Sequence, residues 1–155
     1  MEKFLLLSGY SDKQLKIIRR IYEEIKELNL DNYDKRYVFA LKLQQFYTAV
    51  EDLFKQIANV FENEIEDVSA FHKELLMRMN LEVPQIRIAV ISDSSFRFLD
   101  KLRGFRHFIR HGYDYELDVD ELVLLKKKLN ENFDPLLIDL ENFNQFVSNL
   151  PAPLN

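Results

Sequence analysis

From Tyr10 to Val83 the chain contains neither glycine nor proline, and this long uninterrupted stretch strongly restricts how it can fold. Glycine and proline are the residues that most often end helices and form turns. The 155 residues include only three glycines and four prolines: Gly9, Gly104, Gly112, Pro84, Pro135, Pro151 and Pro153. Such sparse interruption favours long helices over the short strands and frequent turns of an all-β domain.

Apolar periodicity indicates where the helices lie. Residues spaced alternately by four and three from Phe39 to Val60 predict a long second helix over about 33–65, as the spine of the fold. Ser11 and Gln14 form a capping-box pattern that predicts a first helix over about 12–28. Capping residues and apolar spacing predict three further helices. They run from Phe71 to Met79, from Ser92 or Asp93 through Ile109, and from Asp118 to about Asn130. Asp134 followed by Pro135 predicts the start of a last helix, which ends before Pro151.

These patterns predict an all-α fold, a single-domain antiparallel bundle of about five to six helices over residues 1–155, with its core at about 10–150. Of the 155 residues, 47% are apolar, which is enough for one buried core. No apolar run approaches the roughly 20 residues that span a bilayer, and Phe4–Leu7 lacks the pattern of a signal peptide. We therefore expect a soluble, cytoplasmic protein. It has no cysteine, which excludes disulfides and thiolate chemistry.

Charge is unevenly distributed along the chain. The net charge is −5, which does not favour nucleic acid. The segment 97–111, however, combines two histidines and a single acid with five cations: Arg97, Lys101, Arg103, Arg106 and Arg110. A local basic patch on an acidic protein can hold a polyanion at one place. The alternative interpretation of this segment is a solvated helix face without a ligand.

The basic segment ends in an R-x4-H-x-Y pattern formed by Arg106, His111 and Tyr113. Arginine is a permanent cation, histidine carries a proton near neutral pH, and a tyrosine phenol can be modified. These groups suit RNA cleavage without a metal, in which the substrate's own 2′-hydroxyl attacks. Histidine then transfers protons, and arginine stabilises the charge that develops on the phosphorane. On a helix, Arg103, His107 and Arg110 share a face with Arg106, and we expect them to support RNA binding.

The spacing of the motif leaves one question open. Arg106 and His111 are five residues apart, which is about 140° around a helix. Either the helix distorts before Gly112, or a second copy of the chain completes the site across a two-fold axis.

The other histidine patterns favour neither a metal site nor a second catalytic residue. His107 and His111 have the spacing of metal ligands, but no H-E-x-x-H pattern surrounds them and no nearby acid completes a set. We therefore predict no metal and no cofactor. His72 stands alone in its segment, and we interpret it as structural.

The motif and its flanks resemble the HEPN superfamily, and within it the HepT-like ribonuclease toxins. The flanks are the segments 71–79, 102–107 and 115–118, and His107 fits the polar residue that commonly follows the motif arginine. The resemblance covers about residues 10–150 and implies a metal-independent endoribonuclease whose homodimer brings two motifs together across a cleft. It implies that Arg106 and His111 act on the scissile phosphate of RNA. We take tRNA as one candidate target.

The resemblance also implies a partner, an MNT-type nucleotidyltransferase antitoxin that transfers AMP to Tyr113. Phosphate charge added beside the basic site would repel RNA and occupy the cleft. Three hypotheses remain open from the sequence. The chain is such a toxin, or a non-catalytic helical binding partner of a nucleotidyltransferase, or a purely structural interaction protein.

Overall fold

The computed structural model describes residues 2–62, 71–111 and 117–150, and for Arg110 and His111 it describes the backbone alone. The described chain forms five helices: α1 (Glu2–Lys26), α2 (Tyr33–Phe61), α3 (Phe71–Met79), α4 (Asp93–His111) and α5 (Val119–Ser148). No strand occurs in these ranges, where β-like pairing is limited to an isolated bridge between Val83 and Arg87. The predicted all-α fold is confirmed. None of the described helices is long and apolar enough to cross a bilayer.

The second helix forms the centre of the bundle, as predicted. It packs against each of the other four helices. The apolar side chains along it, among them Phe39, Phe46 and Val50, are completely buried. Asn32 caps its start, where the side-chain oxygen accepts a hydrogen bond from the backbone N–H of Lys35 at 2.9 Å. The predicted end at about residue 65 lies outside the described residues.

The first helix begins at Glu2, well before the predicted start at residue 12. Ser11 and Gln14 do not form a capping box but are buried inside the helix. Gln14 Nε2 instead donates a hydrogen bond to the backbone oxygen of Ala49 in α2, at 2.8 Å. A helix interior tolerates Gly9 at a cost of about 1 kcal/mol. Burial of Leu7 gains roughly 1.5–3 kcal/mol, so packing extends the helix past the local cap signal.

The fourth helix begins at Asp93, as the cap signal predicted. The Ser92 hydroxyl accepts a hydrogen bond from the backbone N–H of Ser95 at 3.4 Å. The Asp139 carboxylate in α5 accepts hydrogen bonds from both serine hydroxyls, at 2.7 Å and 2.6 Å. The start of α4 is therefore anchored to α5, which fixes the helix that carries the basic segment.

The fifth helix is continuous, so the prediction of two helices divided before Pro135 is wrong. Asp118 caps its start as predicted, accepting a hydrogen bond from the Asp120 backbone N–H at 2.9 Å, whereas Asp134 lies inside the helix. A proline inside a helix costs about 3 kcal/mol. One apolar stripe runs unbroken through that point: Leu122, Leu125, Leu129, Phe133, Leu136, Leu140, Phe143 and Val147. Burial of this stripe outweighs the cost of the proline.

Candidate functional site

Arg106 lies on the face of α4 that packs against α2. The carbon of its guanidinium group is 5.8 Å from the centroid of the Tyr47 ring, within reach of a cation–π contact. Its Nη1 atom is 3.5 Å from Oε1 of Glu51, and 14% of the Arg106 side chain is exposed. The cation therefore lies at the edge of the packed surface, partly removed from water, where it attracts an anion more strongly than in bulk solvent.

Glu51 is a buried carboxylate at the centre of this cluster. Only 2% of its side chain is exposed, and Nζ of Lys55 lies 3.8 Å from Oε1, the oxygen that also faces Arg106. The other oxygen, Oε2, is 2.8 Å from Nδ1 of His72 on α3. One carboxylate of α2 thus connects α3 and α4. A buried charge of this kind is tolerated only when it is paired, as here.

Tyr47 lies one helical turn before Glu51 and contributes the ring beneath Arg106. Burial raises the pKa of the Tyr47 phenol, and the negative charge of Glu51 raises this pKa further. Arg103 and Arg106 lower it by less. The hydroxyl therefore stays protonated throughout the physiological pH range. Tyr47 acts as a neutral platform for Arg106 and not as a phenolate.

Two polar atoms in the cluster lack hydrogen-bond partners within the described part of the chain. They are Nε of Arg106 and Oε1 of Glu51, and both are buried. Buried polar groups are nearly always hydrogen-bonded in native proteins. The ion pair between Arg106 and Glu51 is thus a loose one at 3.5 Å, without the tight bidentate contact that arginine and a carboxylate can form.

Arg97, Lys101 and Arg103, the other cations of the basic segment with described side chains, are placed differently from Arg106. Arg103 folds back along α4 onto Asp100, with Nε and Nη2 donating to Oδ1 at 3.0 Å and 2.9 Å. His107, Arg97 and Lys101 are exposed. Among the described side chains of the segment, Arg97 and Lys101 are thus exposed to solvent and Arg106 contacts α2.

The motif residues after Arg106 are described only in part. The backbone of α4 is helical as far as His111, so no distortion of the helix separates the two motif residues. The offset of about 140° between Arg106 and His111 therefore remains. The side chains of Arg110 and His111, together with Gly112, Tyr113 and Tyr115, lie outside the described residues.

Sequence reasoning missed the contributions of Glu51, Tyr47 and His72 to this cluster. The signal for Glu51 was present in the sequence. It falls between Tyr47 and Phe54, inside the broad apolar face of α2, where an unpaired charge would be costly. An acid within an apolar stripe implies a buried partner. The identity of that partner depends on which helix packs there, which the sequence pattern does not specify.

No group of three or more His, Cys, Asp or Glu side chains that could hold a metal ion is found among the described residues.

Comparison with known proteins identifies one family. The model of a family described as "HepT-like protein" matches residues 38–147. The match begins in the second turn of α2 and ends at the last buried apolar residue of α5. It includes five residues discussed above: Glu51, His72, Arg106, His111 and Tyr113. No curated protein and no solved structure matches the chain.

Proposed function

The chain belongs to the HepT-like family of the HEPN superfamily, and from that premise we propose that it is a metal-independent endoribonuclease toxin. Arg106 and His111 are the residues that cleave RNA. The observation that supports this proposal most directly is the placement of Arg106. Its guanidinium lies over the Tyr47 ring and 3.5 Å from Glu51, and the side chain remains partly open to solvent on the helix that includes His111.

The chemistry requires a cation beside the phosphate and a group that transfers protons near neutral pH. Tyr47 and Glu51 place the charge of Arg106 at the site before the substrate arrives, and preorganised charge stabilises a developing negative charge efficiently. Histidine suits the proton transfer, because its side chain ordinarily gains and loses a proton near neutral pH. The exposed Arg97, Lys101 and His107, with Arg103 and Arg110, would supply contacts to neighbouring phosphates.

We further propose that the active form is a homodimer with the two 106–113 segments facing each other across a cleft. Because α4 stays helical to His111, the positions of Arg106 and His111 in one copy are offset by about 140° around the helix axis. A second copy related by a two-fold axis can bring its own His111 opposite Arg106.

This dimer makes a prediction that can be tested by complementation. If each site takes Arg106 from one copy and His111 from the other, mixing the inactive Arg106→Ala and His111→Ala variants restores one complete site per mixed dimer. We expect RNA cleavage to return in the mixture, after exchange of subunits, while each variant alone stays inactive. A protein that sediments as a monomer at micromolar concentration, or a mixture that stays inactive despite subunit exchange, would contradict this arrangement.

The ribonuclease proposal itself is tested with the purified wild type on total RNA and on tRNA in the presence of EDTA. Attack by the 2′-hydroxyl leaves a 2′,3′-cyclic phosphate on one product and a 5′-hydroxyl on the other, so the chemistry of the ends is part of the test. We expect cleavage with these ends in EDTA. Complete inactivity, or cleavage that EDTA abolishes, would count against the proposal.

The alternative is a non-catalytic helical partner of a nucleotidyltransferase. One observation favours it: Glu51 faces Arg106 and reduces the positive charge available to a phosphate, and Asp100 does the same for Arg103. On this alternative, Arg106 is a structural residue of the α2–α4 contact. The purified chain would then bind the nucleotidyltransferase but leave every RNA intact.

A further inference from the structure

We propose that His72 is a second proton-transfer group of the site, oriented by Glu51, and that it acts as the general base. This inference rests on the proposed ribonuclease function and assigns a role to a residue that the sequence alone indicated to be structural. It follows from the position of His72 relative to Arg106.

His72 and Arg106 are held by the two oxygens of one carboxylate. Nδ1 of His72 is 2.8 Å from Oε2 of Glu51, and Nη1 of Arg106 is 3.5 Å from Oε1. The imidazole and the guanidinium are therefore separated by little more than the width of the carboxylate and two short contacts. The two groups come from different helices and meet at one carboxylate.

The contact with Glu51 also decides which nitrogen of His72 is reactive. A carboxylate only accepts hydrogen bonds, so Nδ1 carries the hydrogen that is donated to Oε2. Nε2 is then left with a lone pair. The side chain of His72 is 44% exposed, whereas Glu51 is buried. A carboxylate that fixes the tautomer of a histidine and stabilises its imidazolium is the arrangement that makes histidine an effective base.

The proposed reaction balances with two histidines. Nε2 of His72 takes the proton from the 2′-hydroxyl as the 2′-oxygen forms its bond to phosphorus. The bond between phosphorus and the 5′-oxygen breaks, and His111 gives a proton to that leaving oxygen. Arg106 stabilises the charge on the non-bridging oxygens in between. The products are a 2′,3′-cyclic phosphate and a 5′-hydroxyl.

His72 contacts Glu51 of α2, and the other oxygen of that carboxylate lies 3.8 Å from Nζ of Lys55 and 3.5 Å from Nη1 of Arg106 on α4. Lys55 also lies over the ring of the neighbouring Phe71, with Nζ 5.6 Å from the centroid. The carboxylate that holds His72 is therefore also the one that faces the two cations.

The test uses His72→Asn in the full-length protein. The amide nitrogen of asparagine can replace Nδ1 and keep the hydrogen bond to Glu51, but asparagine has no nitrogen in the place of Nε2. If His72 is the base, the variant folds and binds RNA like the wild type, and its cleavage rate falls by about 10²–10⁴-fold. The acidic limb of the pH–rate profile also disappears. If His72 only supports the fold, His72→Asn cleaves at the wild-type rate, with the wild-type profile, and the inference is overturned.

A sulfur leaving group distinguishes the base from the acid. RNA with a 5′-thio linkage at the cleaved bond releases a thiolate, which needs no protonation. We expect this substrate to rescue His111→Ala but not His72→Asn, and rescue of His72→Asn alone would overturn the assignment of His72 as base. A wild type that cleaves neither RNA refutes the proposed function itself, which is a different outcome from an active wild type with an equally active His72→Asn.

Discussion

We expect Arg106→Ala and His111→Ala each to lower the rate of RNA cleavage by about 10²–10⁴-fold, the usual effect of removing a proton-transfer group or an electrostatic contact to the transition state. Arg106→Lys should also cleave poorly. Lysine keeps the charge but lacks the planar fork that holds two phosphate oxygens at once. The measurement is the rate of cleavage of a defined RNA under single-turnover conditions, which excludes effects of product release.

The loss of activity in Arg106→Ala must be separated from a loss of stability. The substitution leaves Glu51 without the cation at 3.5 Å and Tyr47 without its contact to the guanidinium. Leaving a buried polar group without its partner costs roughly 1–3 kcal/mol. For a chain of this size that lowers the melting temperature by about 2–4 °C for each kcal/mol. Lys55 and His72 still face Glu51, so the variant is expected to fold.

A double variant and a matched control complete this experiment. Glu51→Gln removes the buried charge, so Arg106→Ala combined with Glu51→Gln should regain part of the lost stability without regaining activity. Arg20→Ala removes an exposed arginine from α1, a helix that does not contact α4 in the described structure. It should cleave like the wild type. If Arg106→Ala stays folded and cleaves as fast as Arg20→Ala, Arg106 is not part of the site.

The fold was predictable where apolar periodicity is long and uninterrupted. The stripe from Phe39 to Val60 fixed the position of α2, and its breadth indicated a helix with several neighbours. The errors arose where a local signal opposed packing. The capping pattern at Ser11 and the proline at position 135 both indicate a helix start, yet α1 and α5 continue through them. Local preferences of about 1–3 kcal/mol are outweighed by the burial of several large side chains.

The sequence predicts a candidate site as a motif, but it does not predict the contacts that the motif residues make. Helical geometry placed Arg103, Arg106 and His107 on one face, and the structure separates them by their partners. Arg103 turns to Asp100 on its own helix, whereas Arg106 turns to Glu51 on α2. His72 is more than 30 residues from Arg106 in the sequence, and only the packing of α3 and α4 against α2 brings both to Glu51. Residue spacing within one helix does not predict which side chains of other helices it will contact.

We expect co-expression with the cognate nucleotidyltransferase to add one or more AMP units to Tyr113 and to suppress cleavage. In this step the phenol oxygen of Tyr113 forms a bond to the α-phosphorus of ATP, loses its proton, and pyrophosphate leaves. The modification places negative charge two residues from His111 and close in sequence to Arg106. Like-charge repulsion then opposes the binding of RNA, and the added phosphate competes for the cations of the site.

Tyr113→Phe is the matched variant for this prediction, because it keeps the ring and removes only the acceptor oxygen. It should resist the nucleotidyltransferase and remain a ribonuclease in its presence, so its co-expression should stay toxic to the cell. Tyr115→Phe is the control for the neighbouring phenol and should be modified and silenced like the wild type. Intact-mass and peptide mass spectrometry locate the adduct. The prediction assigns the acceptor to one atom, the phenol oxygen of Tyr113. AMP found on Tyr115 in place of Tyr113 would contradict it. A chain that stays unmodified beside an active cognate enzyme would contradict it as well.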